Sequence, residues 1–567
     1  MTREITRSTA ARPATRIVVA YAIVVALAAA VCLHRLGAPD VCGANEAVEA
    51  VFLQQMVEHD ALLFPLENGR APMYKPPLFH WTGVALDRLA GARRVTAFNL
   101  RLPAALYAIA GVVLTIFFAA GFLGPPGAIL AGLLLAASYQ YVENARIGRV
   151  DMTLCFFETL ALFAFMWWYA PAGPPPSASA DTSAIPPVPA TGRDALRYLL
   201  ALALGLAVLA KGPVGALLPG LAIALFLIAE KRPGLILRLA TPGPVILTLA
   251  LGSSWYLACL FGRRYGFLDR QLGSENFGRF FGALGAMAPW YYLKPILFNS
   301  APLSLLVPFA VAAALRTWWP ASIAAATLSP AAAADKLSAS PAAPQFPQSP
   351  NPRRPAQNPL SLWMSLRMMF LPPPDTIDLA EAPRARAAVR LCAIFWIVTV
   401  VFFTIAAYKR RAYLLPLWPA TAVTLAWWLD ARAHTPYGPL LRRAVGATCA
   451  ILIVFNFFYL PHREIRECAG DSFRIAAAQI NRVVGPSEPL YLYDFTDEPA
   501  PLLFYLDRPA PRIAGKLGDA PPGYVLAPVA TWNRLKPSAL DLTPVLETSS
   551  GRPRLVLLRH GPALALR

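Results

Sequence analysis

Charged residues in this chain gather at the edges of long apolar runs. Lys75 stands directly before Pro76-Pro77, Arg146-x-x-Arg149-x-Asp151 bridges two apolar runs, Lys211 closes a third in Ala210-Lys211-Gly212-Pro213, and Lys409-Arg410-Arg411 follows a fourth. Charge beside a bilayer is expensive and tends to mark a functional path. Arg and Lys are the usual protein ligands of phosphate, so seven such cations in one cavity would suit a phospholipid-like substrate. Group transfer from such a donor leaves a phosphate behind, and fixed positive charge stabilises that leaving group as its charge develops. Carboxylates share these edges: Glu46, Glu49, Asp151, and Glu275, which stands four residues before Arg279. A carboxylate there can take a proton from an acceptor hydroxyl or hold a divalent metal ion.

The elements that must carry these residues are membrane helices. Of 567 residues, 56% are hydrophobic and 15% charged, whereas a water-soluble domain carries about 25% charge. Mean hydropathy is +0.48. A spanning helix needs about 20 mostly apolar residues. Segments that meet this rule are 17–36, 98–122, 124–142, 151–170, 194–210, 212–230, 237–261, 295–316, 386–407, 412–430 and 444–460. Gly124-Pro125-Pro126-Gly127 and Lys211-Gly212-Pro213 read as tight hairpins between neighbouring spans. The run Ile17–Leu33 follows Arg3, Arg7, Arg12 and Arg16; it is longer than the core of a signal peptide and reads as a retained first helix. The net charge of +19 sets topology through short basic loops, and with no nucleic-acid module in the chain, nucleic acid is not an expected partner. The seven cysteines contain no CxxC pair, which argues against a disulfide framework or zinc site, although Cys42 and Cys468 both fall outside and one bridge between them is open.

With the N-terminus inside, the basic loops alternate correctly, and the segments 37–97, 262–294 and everything after 460 lie outside. The first of these contains an amphipathic stretch, Asn45 to Val57, expected to lie along the interface. The second carries Trp290, Tyr291 and Tyr292 as expected interface anchors. The inside segments 170–191 and 317–385 are rich in Ala, Pro and Ser and read as disordered linkers. Beyond 460, apolar stretches at 489–494, 525–526 and 555–558, with a short helix at 502–506, read as a small α/β domain. The expected fold class is mainly α: a polytopic transmembrane bundle of about 11–13 helices over 1–460, with an α/β domain over 461–567.

In order, the motifs are Asn45-Glu46-Ala47, Met73-Tyr74-Lys75-Pro76-Pro77, Arg146-x-x-Arg149-x-Asp151, Ala210-Lys211-Gly212-Pro213, Glu275-Asn276-Phe277-Gly278-Arg279-Phe280 and Lys409-Arg410-x-x-Tyr413-Leu414-Leu415-Pro416. Their order and sidedness resemble the GT-C superfamily of membrane glycosyltransferases, especially bacterial relatives of protein O-mannosyltransferases and of the 4-amino-4-deoxy-L-arabinose lipid A transferase. The resemblance implies a multi-pass protein of the bacterial inner membrane with its active site facing the periplasm. It implies a polyprenyl-phosphate-linked sugar as donor, inversion at the anomeric carbon, membrane lipids as partners, and a lipid, glycan or protein acceptor. Donor-phosphate ligands would be Lys75, Arg146, Arg149, Lys211, Lys409 and Arg410, with Tyr74, Glu275, Arg279 and Tyr413 toward substrate. Two positions depart from the family pattern: Asn45 stands where an Asp is usual, and Tyr74 where a Glu precedes the Lys. Catalysis then falls to Asn45, Glu46 and Asp151, with Glu46 or Asp151 as base, or the acceptor is already anionic and needs none. A divalent metal ion is a candidate cofactor, with Glu46 as its candidate ligand. The alternatives are a transporter or flippase of a lipid-linked anion, and a non-catalytic glycan-binding membrane protein.

Overall fold

A computed structural model describes residues 5–169, 190–283, 285–299, 301–318, 383–433, 435–469, 472–495, 499–535, 542–549 and 553–560. The linkers 170–191 and 317–385 fall almost wholly outside the described residues. Helix covers most of the described residues of each of the eleven apolar segments, with 237–261 and 295–316 each divided between more than one helix. Among the described residues, six helices are long and apolar enough to cross a membrane on their own: Thr15–Leu33, Ala97–Ala137, Asp151–Tyr169, Pro242–Phe261, Pro383–Ile405 and Gly438–Ala469. The pair Pro289–Phe298 and Leu303–Arg316 is bent by 115°. Val214–Ala229 and Leu417–Asp430 are shorter apolar helices, and Ala190–Lys211 is more polar. The 41-residue helix Ala97–Ala137 is two expected spans in one, because Gly124 sits at φ 74° and breaks it; only glycine adopts that conformation without cost. Val18, Ile246, Leu249, Phe261, Ile451 and Phe458 are exposed, as a lipid-facing belt requires.

The first loop, residues 37–97, is built rather than open. Helix Ala44–Glu58 leads to a two-strand hairpin, β1 (Leu66–Glu67) and β2 (Ala71–Pro72), and then to helix Leu78–Leu89. Asn68 and Gly69 reverse the chain at φ 53° and 70°. Helix Ala44–Glu58 is not the interfacial helix expected from its mixed composition: Glu46, Glu49 and Gln54 are buried along with Ala47, Ala50, Phe52 and Leu53. Its polar residues are covered from different sides: Glu46 by Arg101, Glu49 by Lys75, and Gln54 by the C-terminal segment. There Gln54 Nε2 donates to Asp507 Oδ1 at 2.7 Å, and Asn68 exchanges two hydrogen bonds with the backbone of Ala510, each 2.8 Å.

That segment contains a mixed sheet of β3 (Leu490–Leu492), β4 (Gly523–Pro528), β5 (Leu542–Glu547) and β6 (Leu555–His560), in the order β3-β4-β6-β5. The β3–β4 pair is parallel and the others antiparallel. Helix Ala500–Leu506 ends on Asp507 in the left-handed conformation, φ 55°. Its apolar face is continuous with the core of the first loop, since Leu502, Leu503 and Leu506 belong to the same buried cluster as Ala50, Phe52 and Leu53. A disulfide between Cys42 and Cys468 joins residues 426 apart in sequence, just before helix Ala44–Glu58 and at the end of Gly438–Ala469. The other five cysteines are free and buried.

Candidate active site

The motifs meet where several helices end. Lys75 follows the β2 strand and is only 5% exposed. Its Nζ donates to Glu49 Oε1 at 2.5 Å, and the Tyr74 hydroxyl donates to the same oxygen at 3.3 Å. His80, from the first turn of Leu78–Leu89, places Nε2 3.1 Å from Glu49 Oε2. Asp151 opens helix Asp151–Tyr169, where a carboxylate suits the helix dipole. Its oxygens meet Arg149 at 3.0 Å and Lys211, the last residue of Ala190–Lys211, at 2.5 Å. The Lys211 ammonium also lies 4.8 Å from the centre of the Tyr413 ring. The Tyr413 hydroxyl accepts from Arg279 Nη1 at 3.2 Å, and Arg279 Nη2 binds Glu275 at 2.7 Å. Arg279 lies over Tyr408, and Arg410 flanks the same ring. Four cations (Lys75, Arg149, Lys211, Arg279) thus alternate with three carboxylates (Glu49, Asp151, Glu275), drawn from segments that run from Glu49 to Arg279.

Glu275 and Gln271 lie on Asp269–Gly278, a ten-residue π-helix; such i→i+5 segments are rare and collect at functional sites. It docks against the turn after Lys211. Gly212 sits at φ 104°, and a Cβ there would collide with the Gln271 side chain.

The electrostatics are those of a dry cluster. Burial alone would raise the Glu49 carboxyl, but Lys75 and His80 outweigh it and hold its pKa at about 2. Burial lowers the Lys75 ammonium; Glu49 opposes this while Arg149 adds to it. The pair favours both charges alike; at Lys75 burial outweighs it. Tyr74 is pushed well above its ordinary value by burial and by Glu49 and Glu275.

Other residues singled out in the sequence are engaged elsewhere. Glu46 faces Arg101, whose Nε and Nη2 reach its two oxygens at 2.7 and 3.0 Å, and it accepts the Gly148 N–H at 2.8 Å. A metal ion there would have to displace Arg101, so these residues do not fit one, and the described residues contain no group of three or more His, Cys, Asp or Glu able to hold a metal. Arg146 is buried against Glu464 (2.9 Å) and the His34 carbonyl (2.8 Å), stapling the first and last spanning helices. Lys409 Nζ is consumed by backbone carbonyls, that of Ala406 at 2.6 Å. Arg411 pairs with Glu143 at 2.9 Å. Asn45 is exposed and accepts from Arg410 Nη2 at 3.2 Å. Tyr292 is buried and accepts the Arg410 N–H at 3.3 Å, so of the expected anchors Trp290 remains exposed and Tyr292 does not. Glu49, one of the carboxylates at the apolar edges, is the one that meets Lys75, and beside it stands His80, which belongs to none of the motifs. The signal was helical spacing: Glu49 lies four residues after Asn45, on the same helix face.

No protein-family model matches the chain. The chain aligns over 96% of its length, and 99% of the other's, with the crystal structure of ArnT from Cupriavidus metallidurans bound to undecaprenyl phosphate (TM-score 0.68, 20% identity). The apo structure of the same protein gives a TM-score of 0.66 at 19% identity, over 97% of this chain and 100% of that one. The two proteins share a fold. The expectation of a mainly helical membrane bundle with a small C-terminal sheet domain is thereby met. Two curated relatives, both uncharacterized proteins of Aquifex aeolicus, are 26% and 25% identical over 284 and 248 residues. These matches cover 50% and 43% of this chain, and the chain spans about half the length of each relative, 52% and 50%.

Proposed function

We propose that this protein is an inverting membrane glycosyltransferase that moves a sugar from a polyprenyl-phosphate donor to an acceptor on the extracytoplasmic face. The observation that carries this reading is the convergence of Lys75, Arg149, Lys211 and Arg279 on one cluster, in the fold of a protein whose crystal structure holds undecaprenyl phosphate. The acceptor oxygen bonds to the anomeric carbon as the bond from that carbon to the donor phosphate oxygen breaks, and the electron pair leaves with the phosphate. Lys75 is the ligand for that phosphate, with Arg149 and Lys211 beside it to stabilise the developing charge. Attack from the face opposite the departing phosphate gives inversion.

The carboxylates bear on the acceptor. Glu49, Asp151 and Glu275 are each bound to at least one cation, which makes them poor proton acceptors. An acceptor whose oxygen is already anionic, such as a phosphate or carboxylate, needs no base and is drawn to the same positive field. This favours the anionic-acceptor alternative over a base at Asp151. Sidedness is supported by the Cys42–Cys468 bridge, because structural disulfides persist in oxidising compartments; in a bacterium, that is the periplasmic side of the inner membrane.

The test is transfer by purified protein from radiolabelled polyprenyl-phosphate sugar. Lys75→Ala should abolish release of the sugar. It leaves Glu49 its Tyr74 and His80 partners, so the variant should still insert and elute as a folded protein. Near-normal activity in this variant would count against the site. Uptake into vesicles without cleavage would point to transport instead.

A further inference from the structure

The Lys75 ammonium is in a place where an amine tends to lose its proton. It is almost fully buried, and Arg149 is close enough to act against its charge. Charged groups face it from each surrounding element: Glu49 from helix Ala44–Glu58, Arg149 and Asp151 from the segment opening Asp151–Tyr169, and Glu275 from the π-helix. Farther out are Lys211 behind Asp151, Arg279 behind Glu275, and Arg270 across the Tyr74 ring. Asp151 is already shared between Arg149 and Lys211, and Glu275 is taken by Arg279. Glu49 is the carboxylate in direct contact with Lys75. It is itself fully buried, and His80, enclosed by Phe52 and Phe79, meets its other oxygen.

We propose that Glu49 is a positioning residue which, braced by His80, keeps the Lys75 side chain charged and aimed at the donor phosphate. The assignment rests on Lys75 as a phosphate ligand. At position 74, the neighbouring side chain is a tyrosine, so the carboxylate is supplied across the loop from helix Ala44–Glu58. A packing role for Glu49 would be indifferent to its charge; the proposed role is not.

The experiment measures binding of undecaprenyl phosphate to the full chain in lipid nanodiscs across neutral to alkaline pH, for the native protein, E49Q, K75R and E49Q/K75R. The native protein should lose affinity along an alkaline limb as Lys75 deprotonates. In E49Q that limb should move down by about 1–3 pH units, the range expected for loss of an adjacent opposite charge. In E49Q/K75R the limb should vanish, because guanidinium holds its proton throughout. An E49Q profile that superimposes on the native one would overturn the role of Glu49 alone. So would an E49Q/K75R protein as pH-sensitive as E49Q. No binding by the native protein at any pH would overturn the phosphate reading, and this inference with it. If E49Q does not fold, K75R on the native background still decides, since persistence of the limb in K75R would rule out Lys75 as its origin.

Discussion

A carboxylate held at about pKa 2 in the folded protein, against 4.5 when free, makes stability depend on pH in one direction. Its folded pKa is depressed, so its contribution is complete above pH 4.5 and disappears as pH falls toward 2. The shift corresponds to about 3 kcal/mol. Thermal unfolding of the solubilised protein should therefore show a Tm that Glu49 leaves independent of pH near neutrality and that falls below pH 4.5, with a shallower fall in E49Q. Equal slopes in the two proteins would show that the acid loss comes from other carboxylates. The same scale shows what residue types alone do not reveal. Lys75, Arg146 and Lys409 are all cations at an apolar edge. Lys75 meets the cluster, whereas Arg146 meets Glu464 and Lys409 meets carbonyls. Those partners lie hundreds of residues off or in the backbone itself, and no local pattern announces them. Glu46 follows the same logic, its pair with Arg101 spanning 55 positions.

At the scale of elements, the sequence was most legible where length and apolarity decide: helix covers most of the described residues of each expected span, with 295–316 bent by 115°. It was least legible where a second element covers the first. Helix Ala44–Glu58 mixes Ala and Leu with Glu and Gln, as a wet interfacial helix would. The C-terminal helix Ala500–Leu506 packs on it, Arg101 takes Glu46 and Lys75 takes Glu49, so its polar side chains become contacts rather than a solvent face. The π-helix was not legible either, because ten residues are too few to distinguish its period from that of an α-helix. The small joint that binds loop to domain is Asn68, whose left-handed backbone places its amide opposite both backbone groups of Ala510. Asn68→Ala removes two buried hydrogen bonds, leaves both Ala510 groups unpaired, and puts a less tolerant residue at positive φ. The expected cost is about 2–4 kcal/mol. Limited proteolysis should then cut the segment after 472 faster than in the native protein, with the spanning helices still protected. An unchanged digestion pattern would mean that the Cys42–Cys468 bridge and the shared apolar core hold the domain without Asn68.

At the scale of the whole molecule, one topological statement joins the cluster, the disulfide and the C-terminal sheet: all three belong on one side of the bilayer. They are linked covalently and by contact, since Cys42 immediately precedes the helix bearing Glu49 and Cys468 ends the last spanning helix. The statement is testable with single engineered cysteines, because the five free native cysteines are buried and should give little background. Arg88 on the first loop and Arg534 in the C-terminal domain both have largely exposed side chains, while Arg232 is exposed in the turn after Val214–Ala229. In intact cells, a membrane-impermeant maleimide should label Arg88→Cys and Arg534→Cys, and label Arg232→Cys only after permeabilisation. The arrangement reverses if Arg232→Cys alone reacts from outside. The cluster would then face a reducing compartment, where the Cys42–Cys468 bridge is not expected to persist. A second reading of the same cells separates the cases: a thiol-blocking gel-shift assay should find Cys42 and Cys468 unreactive until a reductant is added. Outward labelling with a closed bridge puts Lys75 and its neighbours where an extracytoplasmic donor phosphate can reach them, whereas inward placement with open thiols would remove both supports for that placement at once.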